Sequence, residues 1–325
     1  MDFLAKSLKN IKSGLGLKDN SMEYFKFHDQ FPVEGLLNGL CFNDVYVPLE
    51  VVSHILSFLE ADELLSTCSL VCKWWCNIIK STSFWQVFYN RREYPRRAAH
   101  LPWYVFYCYF ATDNFKNLLK NGNGQERFDH WQIVENGGHH FKIEDLPEYA
   151  DPLPLDTPEF YGHTSCFSTS YNLCFKIQEI SLMKKRLLRY ILFKYKPILY
   201  VSEWWAARYD CGCLYQLSIR CCSEYDRIKF HEERRIPYAF RNDNEAQPPN
   251  LPYTYVTKRE SAQQWERMHW SKVEIEVRDY RADIAKIVFG HEGRDTMFWK
   301  GHYGSKMAGG VVKFLFESIK EDIIY

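Results

Sequence analysis

The chain has 325 residues, with 41 basic and 41 acidic side chains, so its formal charge is zero and no global field draws it to nucleic acid or anionic lipid. Hydrophobic residues at 46% and charged residues at 25% describe a folded globular chain and exclude a disordered one, while no apolar run reaches the ~20 residues of a bilayer span. Aromatics reach 17%, which favours strands and aromatic-lined surfaces.

Residues 1–45 read as a leader. Leu4, Leu8, Ile11 and Leu15 recur at helical spacing with Lys6, Lys9 and Lys12 between them, and Gly14 and Gly16 end the pattern. So short a basic amphipathic helix is marginal alone, so a frayed tail is expected in preference to a membrane-surface anchor.

Residues 46–90 change character. Pro48-Leu49-Glu50 opens a helix in which Val52, Ile55, Leu56 and Leu59 recur at i, i+3, i+4 and i+7. Asp62 is placed to cap a second helix carrying Leu64, Leu65, Cys68, Val71, Cys72, Trp75, Ile78 and Ile79, and Trp85 and Phe88 continue the apolar face beyond Ser81-Thr82-Ser83. Short helices of this kind cannot bury so much apolar surface among themselves. The rest of the chain or another protein has to cover the excess.

Residues 91–125 form a junction, marked by Arg91-Arg92, Pro95 and Arg96-Arg97, with a buried helix expected over Leu101 to Phe110. From 126 to 318 the rhythm is that of strands. Trp131 and Ile133, then Asn136-Gly137-Gly138, then Phe141 and Ile143 read as a hairpin. A helix is expected from Leu182 to Phe193, closed before Pro197, and a strand over Ile198 to Val201. Leu214 to Cys222 and Val273 to Val277 alternate, with Glu274 and Glu276 outward; Ile284 to Phe289 and Val311 to Phe316 complete the set, and 241–252 is a polar loop. The fold class predicted is α+β, a short N-terminal helical module and helical linker followed by an antiparallel β-sandwich.

The 11 cysteines, an odd number, and the absence of any Asn-x-Ser/Thr acceptor indicate reduced thiols in the cytoplasm or nucleus, and a cytoplasmic chain is expected. Cys211, Cys213, Cys221 and Cys222 lack zinc-ligand spacing and read as buried thiols, so neither metal nor other cofactor is expected. His231-Glu232-Glu233 and His291-Glu292 lack the second histidine of a zinc protease, and no nucleophile-elbow, phosphate-loop or dinucleotide glycine pattern occurs, so intrinsic catalysis is not expected. Lys184-Lys185-Arg186 and Arg234-Arg235 are short basic runs read as solvated faces, and no nucleic-acid partner is expected.

Pro48-Leu49-Glu50, Ile55-Leu56, Leu59, Asp62 with Leu64-Leu65, Val71-Cys72 with Trp74-Trp75, and Trp85 make the segment 46–88 resemble an F-box. F-box modules dock on a Skp-family adaptor and so join a cullin–RING ubiquitin ligase. The resemblance implies an adaptor-binding set of Pro48, Leu49, Val52, Ile55, Leu56, Leu59, Leu64, Leu65, Val71 and Trp75. Residues 115–316 resemble the F-box-associated domain of the sugar-recognising F-box proteins, on Asn117-Leu118-Leu119-Lys120-Asn121, Trp131 with Asn136-Gly137-Gly138, Asp210-Cys211-Gly212-Cys213-Leu214-Tyr215, and Asp295 through Gly301. That resemblance implies a sandwich that binds the inner chitobiose of N-linked glycans on misfolded glycoproteins.

Sugars need an aromatic plate for their C–H faces and hydrogen-bonding groups at the rim. Trp299 is the expected plate, Lys300 a donor, and Asp210 an acceptor on another connection; Tyr171, or in its place Phe167, would supply a further wall. Phe298 lacks the phenolic hydroxyl that sugar-binding relatives often carry there, which removes a hydrogen bond worth ~1 kcal/mol. Three functions therefore stand at this point. The chain is a ligase substrate receptor for glycoproteins, the same receptor for a non-glycan protein epitope, or a cytosolic carbohydrate-active enzyme with a helical docking module.

Overall fold

The structure, a computed structural model, describes residues 40–42, 45–92, 101–154, 156–228, 230, 251–266 and 268–320. The expected leader helix, Pro95, Arg96-Arg97, Arg234-Arg235 and almost all of the polar loop lie outside the described residues. Chain contacts separate a helical unit, which runs to Asp113 and takes in the C-terminal segment from Ile319, from a second unit running from Asn114 to Ser318. The junction expected over 91–125 is thus shared between the two units.

In the first unit two short strands, β1 (Cys41–Phe42) and β2 (Val45–Tyr46), pair antiparallel ahead of helix α1 (Leu49–Leu56). Proline fixes its own φ, and Pro48 at the α1 N-cap, with φ −54°, offers its carbonyl to the amides of Val51 and Val52. The single second helix expected from the spacing is broken into three pieces: α2 (Ala61–Ser66), a 3₁₀ turn (Cys68–Leu70) and α3 (Lys73–Ile79). Asp62 lies inside the first turn of α2 rather than at its cap, a position occupied by Glu60. Two side chains explain the break. Ser69 Oγ donates to the Leu65 carbonyl (2.7 Å), and the Cys72 thiol, on extended backbone, accepts from Trp75 N–H (3.5 Å) and restarts the helix.

Ser81 Oγ accepts from Phe84 N–H (3.3 Å) at the start of α4 (Thr82–Arg92), and α5 (Trp103–Phe110) is the helix expected at the junction. Trp85 is fully buried, donates Nε1–H to the Ile79 carbonyl (2.6 Å), and packs with Phe88 and Phe110 at ring separations of 4.9 and 6.5 Å. Each such ring contributes roughly 2–3 kcal/mol by leaving water.

The second unit is a sandwich of two antiparallel five-stranded sheets. Its strands are β3 (Gln132–Asn136), β4 (Lys142–Glu144), β5 (Cys166–Ser168), β6 (Cys174–Ser181), β7 (Leu199–Ala206), β8 (Cys213–Cys222), β9 (Thr254–Ala262), β10 (Ser271–Val277), β11 (Lys286–Asp295) and β12 (Lys306–Phe314). One sheet runs β10-β7-β12-β5-β4, the other β3-β6-β11-β8-β9. The alternation in β10 is as expected: Val273, Ile275 and Val277 are buried, and Glu274 and Glu276 exposed.

The expected hairpin around Asn136-Gly137-Gly138 does not form, because β3 and β4 belong to different sheets. Trp131 and Phe141 both bury in the interior, and Asn136 Oδ1 accepts from Phe141 N–H (2.6 Å) to hold the crossing. Helix α6 (Arg186–Tyr195) starts four residues later than Leu182, whose amide instead bonds the Ala285 carbonyl beside the sheet. The ten cysteines from Cys68 to Cys222 are free thiols.

The segment before β3 is stitched to β12 at a bulge between Ala308 and Val311. Asn117 Oδ1 accepts from Val312 N–H (2.9 Å) while its Nδ2 donates to the Gly310 carbonyl (3.0 Å), and Asn123 Oδ1 accepts from Gly309 N–H (2.9 Å). Gly309 has φ +66°, and a Cβ there would lie 2.7 Å from the Phe160 ring, so no larger residue fits.

Between the sheets lies a set of buried polar groups. Glu203 accepts from Tyr215 Oη (2.7 Å) and from His291 Nδ1 (2.6 Å), and the His291 ring stacks on Trp131 at 5.0 Å. Lys176 Nζ rests 3.0 and 3.2 Å from the Trp131 and Phe167 ring centroids without a hydrogen-bond acceptor, and burial pulls its pKa far down against the opposing charge of Glu203. Burial also lowers the pKa of His291 to about 4, although the Glu203 charge opposes it.

Because an unfolded histidine titrates near 6.5, the unfolded chain binds a proton between pH ~6.5 and 4 that folded His291 refuses. Stability contributed by the neutral ring is complete above that window and falls as pH drops through it, by up to about 3 kcal/mol at its acid end. Urea unfolding measured from pH 7 to 4 should show this loss as uptake of about one extra proton per molecule, and His291→Gln should flatten the slope.

Candidate functional site

Strand register places one set of connections at the same end of the sandwich, since Asp295 pairs with Cys213, Cys213 with Ala262, Ala206 with Lys306, and Lys306 with Ser168. The chain between β11 and β12 crosses this end and carries Phe298, Trp299 and Lys300, all exposed. Asp295, fully buried at the end of β11, organises the loop by accepting from Met297 N–H (3.0 Å) and Phe298 N–H (2.6 Å) on Oδ1. Its Oδ2 is buried without a partner, and burial raises the carboxyl pKa against the pull of those amides.

Phe298 takes the left-handed conformation (φ +56°), and Gly301 adopts φ +141°, where a Cβ would lie 2.6 Å from the Tyr303 ring. Ser170 Oγ fixes the far side of the loop by donating to the Gly301 carbonyl (2.7 Å) while accepting from His139 N–H (2.8 Å).

Trp299 meets Tyr303 edge to face at 5.7 Å. The Arg208 guanidinium in turn lies over two rings, 4.1 Å from the Tyr303 centroid and 3.9 Å from that of Tyr149. Arg208 then grips Asp210 with Nε–Oδ1 at 2.7 Å and Nη2–Oδ2 at 3.3 Å. Of the residues expected at a sugar site, Trp299 and Asp210 are therefore joined by contacts running through Tyr303 and Arg208. A carboxylate offers about four acceptor positions, and Arg208 uses two of those on Asp210.

Tyr171 borders the same region, half-buried, with the His139 ring 5.5 Å from its own. Phe167 does not. It is fully buried between Trp131 and Lys176, so the alternative wall is core. Arg208, Tyr149, Tyr303 and Asp295 are the organising residues missed in the sequence. They come from three separate stretches, the β4–β5 connection for Tyr149, β7–β8 for Arg208, and the end of β11 with its connection to β12 for Asp295 and Tyr303, and no local spacing brings them together.

Elsewhere on the sandwich, a groove of about 530 Å³ is bordered by Tyr161, Tyr200, Lys272 and Lys313. Lys272 there pairs with Glu159 (2.6 Å) and Glu274 (3.4 Å).

On the helical unit the expected adaptor-binding residues divide. Pro48, Ile55 and Val71 are exposed, Leu49, Leu59, Leu65 and Trp75 half-buried, while Val52, Leu56 and Leu64 are buried and unavailable for docking. Val51, Phe58 and Leu70, which the spacing did not single out, are exposed in their place, Phe58 at 62% and Leu70 at 78%. Phe58 is held by Arg91, whose guanidinium sits 3.8 Å over its ring and whose Nη1 donates to Ser57 Oγ (2.6 Å).

Asp295→Ala should cost about 1–3 kcal/mol, because it strips the acceptor from two loop amides, whereas Asp295→Asn, which keeps an acceptor and removes a buried charge, should cost much less. Thermal unfolding of the two variants checks this.

Comparison with known proteins matches residues 45–91 to the F-box-like family, and residues 109–255 and 250–314 to the F-box associated region. F-box only protein 6 of Homo sapiens is 30% identical over 270 residues, 82% of each chain. F-box only protein 44 of Homo sapiens is 27% identical over 82% of this chain and 94% of its own, and F-box only protein 2 of Bos taurus 25% identical over 82% of each. Among solved structures, TmCBM61 in complex with beta-1,4-galactotriose superposes with a TM-score of 0.35 at 12% identity, over 62% of this chain and 99% of that one. Among the described residues no helix is long and apolar enough to cross a membrane. The chain belongs to the F-box proteins that carry an F-box associated region.

Proposed function

We propose that this protein is the substrate-recognition subunit of a Skp–cullin–F-box ubiquitin ligase, working in the cytoplasm. Its helical unit docks on a Skp-family adaptor and through it on the cullin–RING scaffold. The sandwich holds a glycoprotein client by its N-linked glycan for ubiquitination in ER-associated degradation. The chain itself makes and breaks no bonds; it raises the effective concentration of client beside the ubiquitin-carrying enzyme.

One observation carries this reading: a family-matched F-box unit leaves Val51, Ile55, Phe58, Leu70 and Val71 exposed, in the same chain as an exposed Trp299 joined through Tyr303 to the Arg208–Asp210 pair, with Lys300 exposed next to it. Trp299 offers a plate to the C–H face of an N-acetylglucosamine ring, Lys300 donates to its oxygens, and Asp210 accepts from its hydroxyls or amide. A second reading, that the sandwich takes a protein epitope instead, draws on Phe298 and Met297, exposed at 59% and 41%, which add apolar surface but no hydrogen-bonding group.

Ile55→Asp with Phe58→Asp, both at exposed positions, should leave the fold intact and reduce co-purification with a Skp-family adaptor by more than about tenfold. Retained capture would show that this face is not the docking surface. Trp299→Ala should likewise weaken binding to chitobiose about tenfold or more in calorimetry. Client pull-down with no chitobiose binding by the wild-type protein would establish the second reading instead.

A further inference from the structure

The loop end of the sandwich carries a second aromatic plate that the site above leaves unused. The connection between β9 and β10 holds Trp265 59% exposed, with left-handed backbone at φ +71°. That conformation costs a bulky residue on the order of 1–3 kcal/mol, so it persists only where surrounding contacts enforce it. Here they are visible. Trp265 N–H donates to the Tyr209 carbonyl (3.0 Å), Gln263 N–H to Glu266 Oε2 (2.9 Å), and Gln264 Nε2 to the Asp210 carbonyl (3.0 Å). Tyr209, 46% exposed, stands edge-on to the indole at 4.7 Å and 70°.

The fold therefore keeps a large apolar ring in water at a cost in backbone strain, a combination that marks function more than packing.

Its position narrows the function. Tyr209 is the residue between Arg208 and Asp210, and Arg208 reaches Trp299 through Tyr303, so a continuous series of contacts links the two plates. Along that series the Arg208–Asp210 ion pair breaks the run of aromatic rings, standing between Tyr209 and Tyr303. The Trp265 plate itself is rimmed by the exposed Glu266 and by Tyr209. Apolar plates alternating with fixed donors and acceptors match a chain of sugars, which alternates C–H faces with hydroxyl rims. An apolar peptide segment would leave the ion pair covered and its remaining hydrogen-bonding capacity unmet.

We propose that Trp265 and Tyr209 form a second saccharide subsite, which takes a sugar residue beyond the chitobiose placed at Trp299, so that the protein reads the length of the glycan. The inference rests on the glycan reading of Trp299.

The test uses the full chain and two probes, chitobiose and the trimannosyl-chitobiose core pentasaccharide, each titrated calorimetrically. Wild-type protein should bind the pentasaccharide about fivefold or more tighter than chitobiose, and Trp265→Ala should abolish that difference while moving the chitobiose Kd less than about twofold. Trp265→Phe, which retains a plate, should keep most of the preference. Equal affinity of wild type for both probes, or a preference that survives Trp265→Ala, overturns the second subsite and leaves the chitobiose site standing. Failure of chitobiose to bind removes both, and a Trp265→Ala loss equal for the two probes shows a structural role only.

Discussion

One buried ion pair fixes the end of the sandwich that carries the Trp299 loop. Lys306, the first residue of β12, and Glu144, the last of β4, are both fully buried and meet across β5, with which each strand pairs. The same Glu144 oxygen accepts from Glu148 N–H (2.8 Å), which directs the chain to Tyr149. Lys306 stands where the Trp299 loop rejoins the sheet, hydrogen-bonded through Ser305 and Gly304 to Thr169. A buried pair contributes little net stability compared with a well-packed apolar alternative, yet breaking it leaves a naked charge and costs about 3–5 kcal/mol. Its value lies in register. It sets where the Tyr149 segment and the Trp299 loop emerge, and so permits the Tyr149–Arg208–Tyr303 stack to close between them.

That stack turns mobile side chains into a fixed surface. A free arginine loses roughly 2 kcal/mol of rotamer entropy on being ordered, and two aromatic faces plus a forked carboxylate offset that loss before any ligand arrives. The Asp295 amide turn does the same for Phe298 and Trp299. The interior behind them is unusually polar, with Lys176, His291, Glu203 and Tyr215 enclosed between the sheets and the lysine ammonium set against the Trp131 and Phe167 rings.

Much of this was legible in the residues. The alternation of Val273 to Val277 gave β10 and its outward glutamates, and the Trp-Lys-Gly string gave the exposed loop. Other features were hidden by their physics. Asn136-Gly137-Gly138 carries hairpin chemistry, but the demand of Trp131 and Phe141 for the interior sends the strands to opposite sheets. The second F-box helix has unbroken apolar spacing, and side-chain bonds from Ser69 and Cys72 interrupt it. Periodicity alone put Val52 and Leu56 on the same face as Ile55; on a helix of eight residues a shift of one position decides which of them meets water. Arg208 and its two tyrosines could not be paired from sequence, because the contact joins connections about 60 and 95 residues apart and leaves no periodic trace.

The face of Ile55, Phe58, Leu70 and Val71 has a consequence for the lifetime of the protein. Arg91 stacks on Phe58 but Ile55, Leu70 and Val71 stay exposed, so on the proposed docking role a copy made in excess of its partner keeps these apolar side chains in water. On that proposed role an orphan subunit would be prone to self-association or to quality control, which would tie its abundance to the supply of the protein that covers it.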